Sequence, residues 1–281
     1  MTMPATNVTI RQVRAGDVTL EIAEAGVGGR PLLMVHGFSG AKEDFGDWFD
    51  LLAERGWHVV APDLRGHGAS DHPPRTQDYS LELFEADLLT LVDDLGWDRF
   101  VLVGHSMGGM IGQSVAIHQP SRLDGVVLMD TVPGPPGGAT MLVMRLALRA
   151  ARVNAVARLL RKPPPGSPES VRRLYADRPG YTDWLRAKVL ATSLTMAKAM
   201  SAELRNGADR LPELAALSLP VLVIVGEHDM PGFVEGSRRM ADAIAGATLV
   251  LLEGAAHSPQ LETPEAWWTA LTGFLDGLAE A

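Results

Sequence analysis

The stretch Phe100-Val101-Leu102-Val103-Gly104-His105-Ser106-Met107-Gly108 decides the fold. Its four apolar residues predict a short strand, and a helical pattern follows from Met107 to His118. Two glycines stand two positions either side of Ser106. A serine flanked in this way sits on a sharp, strained strand-to-helix turn. Glycine is needed at both flanks because a Cβ would clash in so tight a turn. The turn presents the Ser106 hydroxyl at the C-terminal edge of a sheet. It also aims the Met107 N–H, at a helix N-terminus, toward developing negative charge. Glycines and a serine alone could mark an ordinary turn. The strand before and the helix after give the pattern its weight.

Working outward, the same rhythm recurs along the 281 residues. Val8 to Val13 and Val18 to Ala25, separated by Ala15-Gly16-Asp17, read as a hairpin. Short apolar runs follow at Leu32 to Val35, Trp57 to Ala61, Val126 to Met129, Val221 to Val225 and Thr248 to Leu252. Strands apolar on both faces belong to a parallel sheet covered by helices on both sides. Helical patterns lie between them at Glu43–Arg55, Leu81–Leu95, Phe233–Ala245 and Pro264–Leu278. In the last, Thr263 suits an N-cap and Pro264 a first-turn position. The expected fold is α/β, a doubly wound, mostly parallel sheet.

One segment breaks the rhythm. Between Asp130 and Pro220 no strand is predicted. A hinge at Pro133 to Gly138 leads to helices over Met141–Lys162, Ser170–Ala176 and Thr182–Arg205, with a turn at Pro163 to Gly166. The expected organisation is a core over 1–130 and 213–281, with an all-helical cap inserted over 131–212. The cap holds 14 basic and 5 acidic residues; the rest of the chain holds 11 and 29. A basic cap docks naturally on an acidic base. Attraction of anionic substrates or an anionic lipid surface is the sharper alternative, and Arg145, Arg149 and Arg152 on one helical face fit either.

Composition sets further bounds. Hydrophobic residues make up 46% and charged residues 21%, which is globular rather than disordered. The net charge of −9 argues against nucleic-acid binding. The absence of cysteine removes disulfides and thiolate chemistry and suits a reducing compartment. No leader pattern and no run of about 18 apolar residues is seen, so a cytoplasmic protein is expected. No histidine or carboxylate pair recurs at metal-ligand spacing, and no lysine follows the glycines at 104–109 as a phosphate loop requires. No cofactor or metal is expected.

A serine hydroxyl needs a base. Of eight histidines, His257 follows the Thr248–Leu252 run through Gly254-Ala255-Ala256, at the same sheet edge as Ser106. That is where open α/β sheets bind ligands. An acid should orient the imidazole. Asp229 ends Val221–Val225 through Gly226-Glu227-His228, giving the chain order Ser, Asp, His. Asp130 also ends a strand and is the alternative acid. A second oxyanion donor is expected from Phe38 N–H, because Gly37 lets the backbone after Val35 bend into the site. His36 suits a structural role in that loop, since one base suffices. Met141, Leu142, Met144, Leu146, Leu148, Met196 and Met200, with Tyr181 and Trp184 nearby, either build the cap's own core or line an apolar pocket.

These pieces together resemble the α/β-hydrolase-fold serine hydrolases. The matching stretches are His36-Gly37-Phe38-Ser39-Gly40, Ala61 to Ser70, Gly104 to Gly109, Gly226-Glu227-His228-Asp229 and Gly254 to Pro259. The resemblance implies Ser106 as nucleophile, His257 as base, Asp229 as acid, and the Phe38 and Met107 amides as the oxyanion hole. It gives Asp63, Arg65 and His67 a structural role. Position 106 is serine, unlike the dehalogenase and epoxide-hydrolase branches, which use a carboxylate. The loop at 36–38 is not the HGGG type of many lipases. With its helical cap the chain is more similar to small-molecule esterases, enol-lactonases, carbon–carbon bond hydrolases and cofactor-free perhydrolases, and to the serine esterase and enol-lactonase branch above all. The implied reaction is hydrolysis of a small apolar carboxylic ester. Lactone, thioester or carbon–carbon bond hydrolysis, cofactor-free perhydrolysis, or non-catalytic small-molecule binding on the same scaffold are the alternatives. Oligomeric state is not legible.

Overall fold

The structure is a computed structural model that describes residues 7–135 and 161–280. Eight strands form one sheet: β1 (Thr9–Ala15), β2 (Val18–Ala25), β3 (Arg30–Val35), β4 (Trp57–Pro62), β5 (Phe100–His105), β6 (Leu123–Met129), β7 (Val221–Gly226) and β8 (Thr248–Leu252). Their order is β1-β2-β4-β3-β5-β6-β7-β8. β1 and β2 form the expected hairpin, and β2 joins β4 antiparallel. From β4 to β8 all pairs are parallel. The doubly wound, mostly parallel α/β sheet is therefore the observed architecture.

Helices cover both faces. α1 (Phe49–Glu54) precedes β4, α2 (Leu81–Asp94) precedes β5, and α3 (Met107–His118) follows it. Between β6 and β7 the described residues form only helices: α4 (Glu169–Asp177), α5 (Tyr181–Leu190), α6 (Leu194–Asn206) and α7 (Leu211–Leu214). α8 (Pro231–Ala243) precedes β8; α9 (Pro259–Glu262) and α10 (Pro264–Glu280) close the chain. Side chains alternate across each strand. Leu33 and Val35 of β3 join one apolar core with α2 and α3, while Leu32 and Met34 join a second with α1 and α10.

The expectations fail in three places. The pattern at Glu43–Arg55 is a 3₁₀ turn over Lys42–Phe45 followed by the short α1. The expected helix at Thr182–Arg205 is two helices. Ser193 breaks it by capping Met196 N–H with its side chain and donating its own N–H to Gly66 O at 2.7 Å. β8 is an edge strand, and Leu249 and Leu251 on one face are exposed. The expected helix over 141–162 falls almost wholly outside the described residues. So do Met141, Leu142, Met144, Leu146 and Leu148, and Arg145, Arg149 and Arg152.

The helical segment is tied to the base by charge and by main chain. Lys188 of α5 pairs with buried Asp44 at 2.7 Å, and Arg178 with Asp47 at 2.9 Å. Gly68 N–H donates to Ala191 O at 3.1 Å. These two pairs join basic residues of the helical segment to acidic residues of the base. Among the described residues, no helix is long and apolar enough to cross a membrane.

Candidate active site

β3 and β5 are neighbours, and the chain leaves them in opposite directions, β3 toward β4 and β5 toward β6. The crevice beyond their C-terminal ends is the ligand-binding position of such sheets. Ser106 lies there, between β5 and α3. Its φ of 55° is rare for a residue with a side chain. The turn is locked by Ser106 N–H to Met129 O at 2.8 Å and by the Thr131 hydroxyl donating to Ser106 O at 2.8 Å. The flanking glycines are explained by close approach. A Cβ on Gly104 would lie 2.4 Å from Gly108 O, and one on Gly108 would lie 2.2 Å from Val35 O.

Three loops meet at this edge. His257 Nε2 lies 3.0 Å from Ser106 Oγ, and His257 Nδ1 lies 2.8 Å from Asp229 Oδ2. Asp229 Oδ1 accepts Met230 N–H at 2.6 Å, so both its oxygens are engaged. Asp130, the alternative acid, is not bonded to the imidazole. It is fully buried with φ of 46°, and its Oδ1 accepts Gly226 N–H at 2.9 Å. Burial, and then the neighbouring Asp229, hold the Asp130 carboxyl well above its ordinary range. Burial works against charge on His257, but the carboxylates of Asp229, Asp130 and Glu262 outweigh it and push the imidazole up to about 9.

Asp130, Asp229 and His257 bring one ligand-type atom each within 4.8 Å, the only such group among the described residues. With both imidazole nitrogens directed at Asp229 and Ser106, Asp229 and His257 form a hydrogen-bonded relay to the Ser106 hydroxyl, and Asp130 stands outside it. Chemically, that arrangement can take the Ser106 proton and hold the resulting imidazolium beside a carboxylate.

On the other side of Ser106 stands the loop after β3. A Cβ on Gly37 would lie 3.1 Å from the Ser106 Cβ, which places this loop against the serine. The loop is held by imidazoles: His36 Nδ1–H donates to Gly37 O at 2.8 Å and His67 Nε2–H to Phe38 O at 2.8 Å. Burial drives His36 down to about 4, so it is uncharged. Asp63 accepts Lys42 N–H and Nζ–H, and Arg65 pairs with Asp87 at 2.6 Å. None of these three, Asp63, Arg65 or His67, is bonded to the Ser106–His257–Asp229 set.

A cavity of about 30 Å³ opens beside the serine, lined by Phe38, Ser106, Met107, Met110, Val132, Leu204 and Phe233. Its walls are apolar apart from the hydroxyl. Met110, Val132, Leu204 and Phe233 were not legible as lining residues; Val132 and Phe233 could have been sought just beyond the strand-end aspartates. Met196 and Met200 instead pack in the apolar core with α2 and α3. Tyr181 packs with Leu174 and Leu261, and Trp184 lies against them.

Another group missed in the sequence is Glu262. Its carboxylate accepts from Ala256 N–H and Ser258 N–H, the amides on either side of His257. The available signal was Ser258-Pro259, which opens the short helix that Glu262 ends.

Comparison with known proteins finds a family profile, described as alpha/beta hydrolase fold, matching residues 30–264. Among curated relatives, epoxide hydrolase A of Mycobacterium tuberculosis is 28% identical over 316 residues, covering 96% of this chain and 98% of the relative. The 3-oxoadipate enol-lactonase 2 of Acinetobacter baylyi is 30% identical, covering 90% and 91%. A solved hydrolase from Pseudomonas aeruginosa superposes with a TM-score of 0.79 at 29% identity, covering 96% of this chain and 99% of that one.

Proposed function

Because the chain belongs to the alpha/beta hydrolase fold family, we propose that it hydrolyses a small apolar carboxylic ester through Ser106, His257 and Asp229. The observation that carries this reading is the 3.0 Å and 2.8 Å relay from Ser106 Oγ through His257 to Asp229. His257 Nε2 takes the Ser106 proton as Oγ attacks the carbonyl carbon. The Phe38 and Met107 N–H groups stabilise the tetrahedral oxyanion. The imidazolium, oriented by Asp229, protonates the leaving alcohol. His257 then takes a proton from water, which attacks the acyl-enzyme, and Ser106 recovers its proton as the acid departs.

The apolar side chains beside Ser106, Met110, Val132, Leu204 and Phe233 among them, support an apolar acyl group. A serine at 106, with no carboxylate at that position, weighs against the alkyl-ester chemistry that the epoxide-hydrolase branch uses. A second reading, hydrolysis of a lactone, has support from the enol-lactonase relative at 30% identity. Ring opening uses the same steps, with the leaving alcohol tethered to the acyl group. A cytoplasmic location fits the absence of cysteine.

The test is turnover of a chromogenic short-chain ester by wild type and Ser106→Ala, with fluorophosphonate labelling of Ser106. Turnover and labelling in wild type, and neither in the variant, are expected. Retained turnover in Ser106→Ala overturns the reading. A wild type that is unlabelled and inert favours a binding protein. A panel of ester, thioester, lactone and diketone substrates, with a peroxide assay, separates the bond cleaved.

A further inference from the structure

His257 stands on a loop between β8 and α9, yet every residue from 254 to 258 has its main chain tied. Gly254 O accepts from the Ser170 hydroxyl of α4 at 2.6 Å, and Ala255 O from His228 N–H at 2.8 Å. His257 O accepts from His105 Nε2–H at 2.6 Å. Gly254 N–H donates to Glu227 and Ala255 N–H to Leu252 O, and two further donors flank the imidazole residue, the N–H groups of Ala256 and Ser258. Both go to one side chain, Glu262, through its two separate oxygens.

We propose that Glu262 is a positioning residue for His257: its carboxylate grips the amides that flank the imidazole-bearing residue and so sets the angle at which Nε2 meets Ser106. The inference rests on the reading of His257 as the general base. A carboxylate is the group this task requires, because two N–H donors need two acceptor oxygens and a carboxylate has no donor of its own. Charge-assisted bonds of this kind are also stronger than neutral ones. A glutamine would accept one amide and turn an N–H toward the other. An aspartate keeps the charge but falls one methylene short.

The residue next to Glu262, Leu261, packs with Leu174 of α4 and Tyr181 of α5. The clamp therefore sits where the helical segment meets the histidine loop. Charged groups facing His257 are Asp229 after β7, Asp130 after β6 and Glu262 of α9, with His105 alongside. Those near Glu262 are His257, Asp229 and Tyr181, and Asp47, Asp177, Arg173 and Arg178 line the same recess.

The experiment compares Glu262→Gln, Glu262→Asp and Leu261→Ala with wild type by steady-state kinetics across pH. A misplacement of about 1 Å can cost on the order of 10² in rate. Glu262→Gln is expected to lower kcat by ~10–100-fold with KM within about twofold, and to move the acid-limb midpoint downward, because a negative charge facing His257 is lost. Glu262→Asp should lower kcat with the midpoint held. Leu261→Ala loosens α9 without touching the carboxylate and should lower Tm alone. The proposal is overturned if both Glu262 variants keep kcat within about twofold of wild type, or if Leu261→Ala loses as much kcat as Glu262→Gln. Fluorophosphonate labelling keeps the two readings apart. An unlabelled wild type removes the serine-hydrolase reading, whereas Glu262→Gln labelled at the wild-type rate removes the clamp alone.

Discussion

Leu64 N–H donates to His36 Nε2 at 3.1 Å, and that bond fixes which nitrogen of His36 carries the proton. With Nε2 accepting, the neutral ring must donate from Nδ1, and it does so to Gly37 O at 2.8 Å. That carbonyl belongs to the peptide whose N–H is Phe38's. A planar peptide bond couples the two ends, so holding the carbonyl aims the N–H. His36 thus acts on the proposed oxyanion hole without touching substrate.

His36→Leu should therefore lower kcat by about 10–100-fold with little change in KM. That is less than the 10²–10³ typical of losing an oxyanion donor outright. Since burial keeps His36 uncharged above about 4, the loss should be the same factor from pH 5 to 9. Steady-state kinetics on a chromogenic ester check it, and a variant with unchanged kcat would remove His36 from this role.

The pH dependence follows from His257. Burial lowers its affinity for protons, but the facing carboxylates win and carry it up to about 9. The free base is the working form, so kcat/KM for an uncharged ester should rise with pH through a midpoint near 9 and level off only above it. A flat profile between pH 6 and 9 would contradict this. Asp229→Asn should move the midpoint down and lower the plateau by up to about 10⁴, the size seen when a triad acid is made neutral. Stability runs the other way. A histidine raised above its ordinary 6.5 contributes stability that is whole below 6.5 and is lost as pH rises through about 9. Melting curves of wild type and His257→Ala should thus differ more at pH 6 than at pH 10.

Gly108→Ala should not be tolerated. Its Cβ would lie 2.2 Å from Val35 O, a backbone atom of the central strand β3. Neither partner can swing aside, so β3 or the serine turn must shift, at a cost of about 3 kcal/mol or more. Thermal melting is expected to show a fall of several degrees, together with loss of activity. A variant with wild-type Tm would show that the turn is looser than this geometry.

Lys188→Met tests how the helical segment is held. Removing the ammonium leaves Asp44 buried without its 2.7 Å partner. Breaking a buried pair from one side costs about 3–5 kcal/mol. Lys188→Met with Asp44→Asn should recover most of that loss, because the stranded charge is gone. Denaturant titration of the two variants measures it, and equal losses in both would refute the pairing argument.

The sequence by itself determined the sheet and which side chains gather at its edge. Runs apolar on both faces read as covered strands, which holds for all but the edge strand β8, and a serine between glycines after such a run, with a helix behind it, reads as a tight turn. Ser106, Asp229 and His257 were legible because each follows a strand, and in a parallel sheet all strand ends of one sense share an edge. What the sequence left open is what depends on lateral position. Asp130 and Asp229 both end strands, and only the order of β6 and β7 with the bend after each decides that Asp229 meets the imidazole while Asp130 turns to Gly226. Ser193 broke a helix that periodicity ran through, because its N–H found a carbonyl more than a hundred residues away in Gly66. Leu204 carries no local signal for its place beside Ser106, since packing between distant segments leaves no period in the chain.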